Sequence, residues 1–487
     1  MYKVLFVTSE CWPLIKTGGL ADISYSLPLA LKSLGHDVIT LLPAYQGVKS
    51  HFNKLKKISS IKKDFFAESI DLLEGVLEPG GQKIWLIDLP SLYDRQGGPY
   101  LDQTKNEWSD NSLRFALLCR VACEIAMGRA GLDWRPDVVH GNDWQSGLVP
   151  AFLSLEKQPP ATLFTIHNIA YQGIYMRFVF DDLKLPDAWW HYEALEYYGN
   201  FSFLKAALVY SDYITTVSPS YAEEIKHADK GCGLDGVLRQ RAAVLSGIVN
   251  GIDEQCWNPA ADAHIKYPYD AEHLANKRKN KQVLQRQLKL ASTPAVPLIG
   301  VIGRFAYQKG IDLVIEQIQR FKDAPCQWVI LGNGDLALEN DMRQLADKFP
   351  GKVSVTIGYD ETLAHQIEAG ADLFLMPSRY EPCGLNQMYS LRYGTVPIVT
   401  RTGGLMDTVV DLSPETLAAG SANGFWAAEA SADALTEALE RALAAYENKA
   451  LWLKLRRNGM TRDFSWQRSA EAYVHCYEKI VKTGQNR

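Results

Sequence analysis

The hexapeptide Thr17-Gly18-Gly19-Leu20-Ala21-Asp22 near the start of the chain returns as Thr402-Gly403-Gly404-Leu405-Met406-Asp407 near its end. Paired glycines let a backbone turn tightly and pass close to a ligand, and a helix opening just after them aims N–H groups at that ligand. Each copy follows a strand-like apolar run. The echo therefore predicts two similar α/β domains, each with an anion-friendly loop.

The flanking patterns agree with this. Val4 to Thr8 reads as a strand and Glu10 to Gly19 as a loop. Leu20, Ile23, Leu27, Leu31 and Leu34 then mark one face of a helix that stops at Gly35, with a kink expected at Pro28. Val38 to Leu42, Lys83 to Leu89, Asp137 to His140, Thr162 to Ile166 and Tyr213 to Val217 read as further strands between helical segments, which predicts a parallel α/β layer. A second series begins at Leu298 to Ile302 and continues through Trp328 to Leu331, Val353 to Ile357, Leu373 to Met376 and Val396 to Val399. Between the series, Asn258 to Pro297 is less regular, with charged helical character over Glu272 to Leu290. The junction is placed near Asp253 to Pro259, giving domains 1–255 and 256–463. A helical tail, 464–487, carries Trp466, Ala470, Tyr473 and Tyr477 on one face.

A length of 487 residues suits two or three domains, and 47% hydrophobic with 22% charged residues is ordinary globular material. The net charge of −5, from 51 basic and 56 acidic residues, argues against a nucleic-acid partner while leaving room for a local basic pocket. The first seven residues run straight into a strand, as expected of a cytoplasmic N-terminus. No run approaches the roughly 18 apolar residues of a membrane helix, so no membrane partner is expected. The longest, Phe115 to Met127, is broken by Arg120 and Glu124. Eight cysteines without a CxxC pair read as reduced thiols, not as disulfides or a zinc site.

The most specific stretch is Ser378-Arg379-Tyr380-Glu381-Pro382-Cys383-Gly384-Leu385-Asn386-Gln387. It places Glu381 at the carboxyl end of a strand, where open α/β sheets bind ligands, and puts free N–H groups near Gly384 to Asn386. Standing alone, Glu381 would equally suit a surface loop. Gly303-Arg304-Phe305-Ala306-Tyr307-Gln308-Lys309-Gly310 offers two cations beside a helix N-terminus, a phosphate site or a pair of solvated charges. His140-Gly141-Asn142-Asp143-Trp144 and Thr165-Ile166-His167-Asn168 also follow strands, and their polar and aromatic groups suit a sugar. His140 reads equally as a satisfied structural histidine, and His167 is the better functional candidate. Asn250-Gly251-Ile252-Asp253 has the chemistry of a plain turn. No Asp-x-Asp metal clamp and no Gly-x-Gly-x-x-Gly fingerprint after the first strand occur, so Arg304 and Lys309 would neutralise a leaving diphosphate in a metal's place.

The set Lys16-Thr17-Gly18-Gly19-Leu20-Ala21-Asp22, His140-Gly141-Asn142-Asp143-Trp144, Gln308-Lys309-Gly310, Glu381-Pro382-Cys383-Gly384-Leu385 and Arg401-Thr402-Gly403-Gly404-Leu405 resembles the ADP-glucose-dependent glycogen and starch synthases, a family of retaining glycosyltransferases. The resemblance runs from Ser9 to Trp466. It implies the GT-B architecture: two Rossmann-like domains facing a deep interdomain cleft, with the last helix crossing back to the N-terminal domain. It also implies that Lys16, Gly18 and Gly19 contact the donor, and that His167, Trp144 and Asn250 lie near the transferred glucose. Asp143, Tyr100 and Asp22 match positions lining the active cleft. Arg304 and Lys309 should hold the diphosphate, Tyr359 should pack on adenine, and Glu381 with Cys383, Gly384, Leu385 and Asn386 should grip the donor. The chain departs from the wider superfamily at Tyr389, where a second glutamate is frequent, and at Asn386, where Thr is common; the Gly141-Asn142 pair also varies from the usual filling of its motif, with little consequence expected.

The implied activity is transfer of an α-glucosyl unit from ADP-glucose to the non-reducing 4-hydroxyl of glycogen or another α-1,4-glucan, with retention of configuration and neither cofactor nor metal. A UDP-glucose-using transferase, a pyridoxal-phosphate-dependent phosphorylase and a non-catalytic glucan-binding protein are the alternatives. The sequence neither requires nor excludes a homo-oligomer.

Overall fold

In a computed structural model, which describes residues 1–63, 66–293 and 295–484, the strand runs fall into two large sheets, one in each of two units. Unit 1 comprises Met1–Gly251 together with the tail from Trp466, and unit 2 is Ile252–Ser465. The division after Gly251 stands four residues ahead of the sequence-based boundary.

Unit 1 is built on nine strands: β1 (Lys3–Val7), β2 (Asp37–Pro43), β3 (Lys56–Lys63), β4 (Phe66–Leu77), β5 (Gln82–Asp88), β6 (Val138–Asn142), β7 (Ala161–Ile166), β11 (Tyr213–Thr216) and β12 (Leu245–Gly247). A small separate sheet holds β8 (Ile174–Tyr175), β9 (Glu196–Tyr197) and β10 (Asn200–Ser202). The large sheet has the order β12-β11-β7-β6-β1-β2-β5-β4-β3 and is parallel from β12 to β5. Val4, Leu5, Phe6 and Val7 of β1 are all fully buried. Both faces of that strand are covered, which is why it reads as an unbroken apolar run. The antiparallel edge formed by β3 and β4 was not expected. Lys56-Lys57-Ile58-Ser59-Ser60 is too polar to announce a strand.

The helix Gly19–Ser33 continues past Pro28, the residue at which a kink was expected. Pro28 has no N–H for the Ser24 carbonyl four residues back. Gln82 supplies the replacement, its Nε2 donating to Ser24 O at 2.8 Å. The tail helix Trp466–Gly484 buries Trp466, Ala470, Tyr473 and Tyr477 against Val4, Phe6, Leu27 and Val138 of unit 1. His140 is part of this packing: Nδ1 lies 2.8 Å from the Tyr477 hydroxyl and Nε2 2.7 Å from Thr165 Oγ1. Its structural role is thereby settled.

Unit 2 carries β13 (Leu298–Ile302), β14 (Gln327–Gly332), β15 (Val353–Ile357), β16 (Leu373–Met376), β17 (Val396–Thr400) and β18 (Phe425–Ala427). Their order, β15-β14-β13-β16-β17-β18, is wholly parallel. This is the dinucleotide-fold order, and it reverses between β13 and β16. In unit 1 the corresponding reversal falls between β1 and β6. The charged helix expected over Glu272 to Leu290 is Ala275–Gln287. Among the described residues, no helix is long and apolar enough to cross a membrane.

Candidate active site

Reversal of strand order opens a crevice at the carboxyl ends of the two central strands, and there loops from distant parts of the chain converge. In unit 2 these are the loop after β13, carrying Arg304 and Lys309, and the loop after β16, carrying Glu381. Gly310 lets them approach. Its φ is +66°, and a Cβ on it would stand 2.2 Å from the Pro377 carbonyl oxygen. Only glycine fits there.

Lys309 Nζ thereby reaches Glu381 Oε2 at 2.6 Å, and Ser378 Oγ donates to the same oxygen at 3.0 Å. Glu381 is buried and Lys309 half-buried. The second copy of the Gly-Gly motif supports this arrangement from below. Gly404 N–H donates to Glu381 O at 3.0 Å, and a Cβ on Gly404 would meet the Cys383 backbone at 2.4 Å. Gly384 is left-handed at φ +75°, and Gln387 Nε2 donates to the Cys383 and Gly384 carbonyls. Asn386 Nδ2 donates to Ile302 O at 2.8 Å, which ties the start of the helix Asn386–Arg392 to the end of β13. That side chain is engaged with backbone. Leu385 is the residue before this helix.

Arg304 is exposed, with Gln308 Oε1 3.4 Å away. Tyr359, just beyond β15, is 75% exposed, with its hydroxyl bonded to Glu361. Sequence reasoning passed over Arg379 as a contributor to the geometry. It grips Asp312 with two hydrogen bonds of 2.8 and 2.6 Å and stacks 3.5 Å over the Tyr307 ring, which braces the β13 loop.

In unit 1, Asp143 follows β6 with φ +55°, an uncommon conformation for a non-glycine residue. Its Oδ1 accepts the backbone N–H groups of His167 at 2.9 Å and Asn168 at 3.4 Å, drawing the end of β7 toward the end of β6. Burial lifts the Asp143 pKa to about 7 despite those two donors, and the nearby Glu10 charge pushes the same way. His167 is also buried, which lowers its pKa to about 3 and keeps the ring neutral. Asn142 fixes its tautomer. Asn142 Nδ2 donates to the carbonyls of Val7 and His140, so its Oδ1, 3.0 Å from His167 Nε2, must accept the Nε2 proton. Among the described residues, His167 Nδ1 has no hydrogen-bond partner and is left as a bare acceptor. Asn142 stood in the His140–Trp144 motif, but little consequence was expected of it, because an amide inside a strand carries no signal by itself; its hold on His167 corrects that.

Trp144 is an aromatic anchor, edge-on to Phe115 at 5.0 Å and to Phe203 at 5.8 Å. Asn250, after β12, is buried, and its Oδ1 has no hydrogen-bond partner among the described residues. Lys16 pairs with Asp22 at 2.8 Å, both partly exposed, a contact worth under about 1 kcal/mol. Gly18 and Gly19 are exposed, and a Cβ on Gly18 would meet nothing within 4 Å. The Tyr100 hydroxyl lies 2.6 Å from Glu10 Oε1 and 2.8 Å from Ser9 Oγ. Among the described residues, no group of three His, Cys, Asp or Glu side chains is placed to hold a metal ion.

Comparison with known proteins places both units. The starch synthase catalytic domain family matches residues 3–240, and glycosyl transferases group 1 matches residues 285–458. The protein is a glycosyltransferase of GT-B architecture. It is 50% identical over 481 residues to the glycogen synthase of Thioalkalivibrio sulfidiphilus, covering 98% of this chain and 100% of that one. It is 51% identical over 484 residues to the glycogen synthase of Cellvibrio japonicus, covering 99% and 100%. The catalytic domain of starch synthase IV from Arabidopsis thaliana, solved with ADP and acarbose, superposes with a TM-score of 0.88 at 32% identity, covering 99% of each chain. The chain belongs to the bacterial glycogen synthase family.

Proposed function

We propose that this member of the family transfers α-glucose from ADP-glucose to the non-reducing 4-hydroxyl of an α-1,4-glucan with retention of configuration. The observation that carries the reading is the Lys309–Glu381 pair at the topological switch point of unit 2. It sets a cation and a buried carboxylate side by side at the position where an open α/β sheet holds a nucleotide.

Lys309 and Arg304 take the diphosphate oxygens and oppose the charge that grows as the diphosphate leaves. Arg304 presents a fork suited to two oxygens. Glu381 accepts glucose hydroxyls and favours the positive sugar of an oxocarbenium-like transition state, while the Cys383–Asn386 turn frames the sugar. The Tyr359 ring packs on adenine. His167, neutral and with Nδ1 bare, accepts a sugar hydroxyl. Asp143 holds the His167 backbone in place, and Trp144 and Asn250 complete the sugar side. Lys16 with Gly18 and Gly19, and Asp22 beside Lys16, contact the donor. The departing phosphate takes the acceptor's proton on the same face, so no covalent glucosyl-enzyme is required. Positive charge comes from Arg304 and Lys309 without a metal.

Initial rates on a glycogen primer with ADP-glucose and with UDP-glucose test the reading. ADP-glucose should be the preferred donor by kcat/KM. Equal or better use of UDP-glucose would replace the donor assignment, and absence of transfer from either would remove the enzyme reading.

A further inference from the structure

The Lys16-Thr17-Gly18-Gly19 loop is exposed, yet one buried carboxylate ties it down. Glu10 is 4% exposed, and its Oε2 accepts the backbone N–H groups of Thr17 at 2.5 Å and Gly18 at 3.0 Å. Its Oε1 accepts the Tyr100 hydroxyl at 2.6 Å, and that hydroxyl lies 2.8 Å from Ser9 Oγ. Burial raises the Glu10 pKa, while the bonds from Tyr100, Thr17 and Gly18 work against that rise. A carboxylate placed beneath a loop expected to meet an anion is electrostatically odd as a ligand contact. It is sensible as a clamp, because both of its oxygens are engaged, one by the Thr17 and Gly18 amides and the other by the Tyr100 hydroxyl.

We propose that Glu10 is a positioning residue for the donor: it sets the shape of the Lys16–Gly19 loop, and Tyr100 acts through Glu10 rather than on the sugar. This rests on the reading of Lys16 as a donor contact. Two amides that the glycine motif offers to a ligand are committed to Glu10. The anion-facing part of the loop is reduced to the Lys16 ammonium and the first turn of the helix that begins at Gly19. The Glu10 side chain accepts every hydrogen bond it makes, so a neutral side chain that engages the same partners can hold the same loop shape. A glutamine can accept both loop amides through its Oε1 and donate from its Nε2 to the Tyr100 oxygen.

The test compares Glu10→Ala, Glu10→Gln and Tyr100→Phe with the wild type. Steady-state kinetics with ADP-glucose, hydrogen exchange of a peptide spanning residues 16–19 and thermal unfolding are measured for each. Glu10→Ala should lose exchange protection at the Thr17 and Gly18 amides and raise the donor KM about tenfold or more. Glu10→Gln should restore both to within about threefold of wild type, the behaviour of a neutral group that accepts the same bonds. Tyr100→Phe, which removes one bond from a folded site, should fall between the two and keeps the test alive if Glu10→Ala does not fold. The proposal is overturned if Glu10→Gln is as damaged as Glu10→Ala, since the charge would then be what matters. It is equally overturned if the variants only lower the unfolding temperature while KM and loop protection stay native. A wild type inactive with ADP-glucose would count against the functional reading alone, because the exchange measurement still decides the clamp.

Discussion

Lys309 and Glu381 stand 72 residues apart in the chain and meet at 2.6 Å, each at the end of one of the two strands that flank the switch point of unit 2. The side chains differ in burial: 7% of the Glu381 side chain is exposed against 23% for Lys309. Removing the lysine therefore strands a buried carboxylate, whereas neutralising the glutamate leaves an ammonium that can turn toward water.

That asymmetry separates two variants. Lys309→Ala should lose stability by about 1–3 kcal/mol and lower kcat on the order of 10²–10³-fold, because it removes a charge placed for the departing diphosphate. Glu381→Gln should unfold near the wild-type temperature and bind ADP with near-native affinity while transfer collapses. Calorimetric ADP titration alongside kcat distinguishes them. A Glu381→Gln enzyme that retains most of its transfer activity would demote the glutamate to a loop residue.

Arg304 has no such structural duty. It is exposed, and its contact with Gln308 is 3.4 Å long. Arg304→Ala should leave thermal unfolding unchanged within about 0.5 kcal/mol while ADP affinity and kcat both fall. A loss of stability comparable with that of Lys309→Ala would show that the guanidinium braces the β13 loop instead, a task the structure gives to Arg379.

The strands that build the two sheets were legible because most are buried on both faces and read as continuous apolar runs. The loops after β1, β6, β7, β13 and β16 were legible because glycine, histidine and charge cluster immediately after those runs. What escaped notice depends on partners far away in the chain. Glu10 is one acid in a loop until Thr17, Gly18 and Tyr100 are seen donating to it. Gln82 is an unremarkable glutamine until it takes over the Ser24 carbonyl that Pro28 leaves vacant, 58 residues away. The β3–β4 edge, with lysine pairs at both ends of β3 and three acids spread along β4, lacked the unbroken apolar signal that the central strands carry.

Exhaustive chelation should leave transfer intact. Positive charge opposite the diphosphate is assigned to Arg304 and Lys309, and no Asp-x-Asp pair occurs in the chain. Rates after dialysis against EDTA, then after adding magnesium or manganese, check this. Loss of activity on chelation with recovery on either ion would refute the assignment of both cations.

Asp143 should make folding stability depend on pH in a direction opposite to that of an ion-paired carboxylate. Its pKa is about 7 in the folded protein against an ordinary 3.8, because burial disfavours the charge. Below pH 4 both the folded and the unfolded chain hold the proton. Between pH 4 and 7 the unfolded chain releases it while the folded one retains it, so this site's contribution falls as pH rises. At about 1.4 kcal/mol per pH unit, the ceiling is roughly 4 kcal/mol. Asp143→Asn keeps an oxygen for the His167 and Asn168 amides and cannot ionise. Denaturant unfolding at pH 4.5, 6 and 8 should show the variant close to wild type in acid and progressively more stable than wild type toward pH 8. His167, its pKa lowered to about 3 by burial, is neutral in the folded protein across this range, while the unfolded chain releases its proton near the ordinary 6.5. That release raises stability with pH in both proteins alike and cancels in the comparison. A wild-type-to-variant difference that stays constant with pH would mean that Asp143 is already ionised in acid, held so by the two amides it accepts.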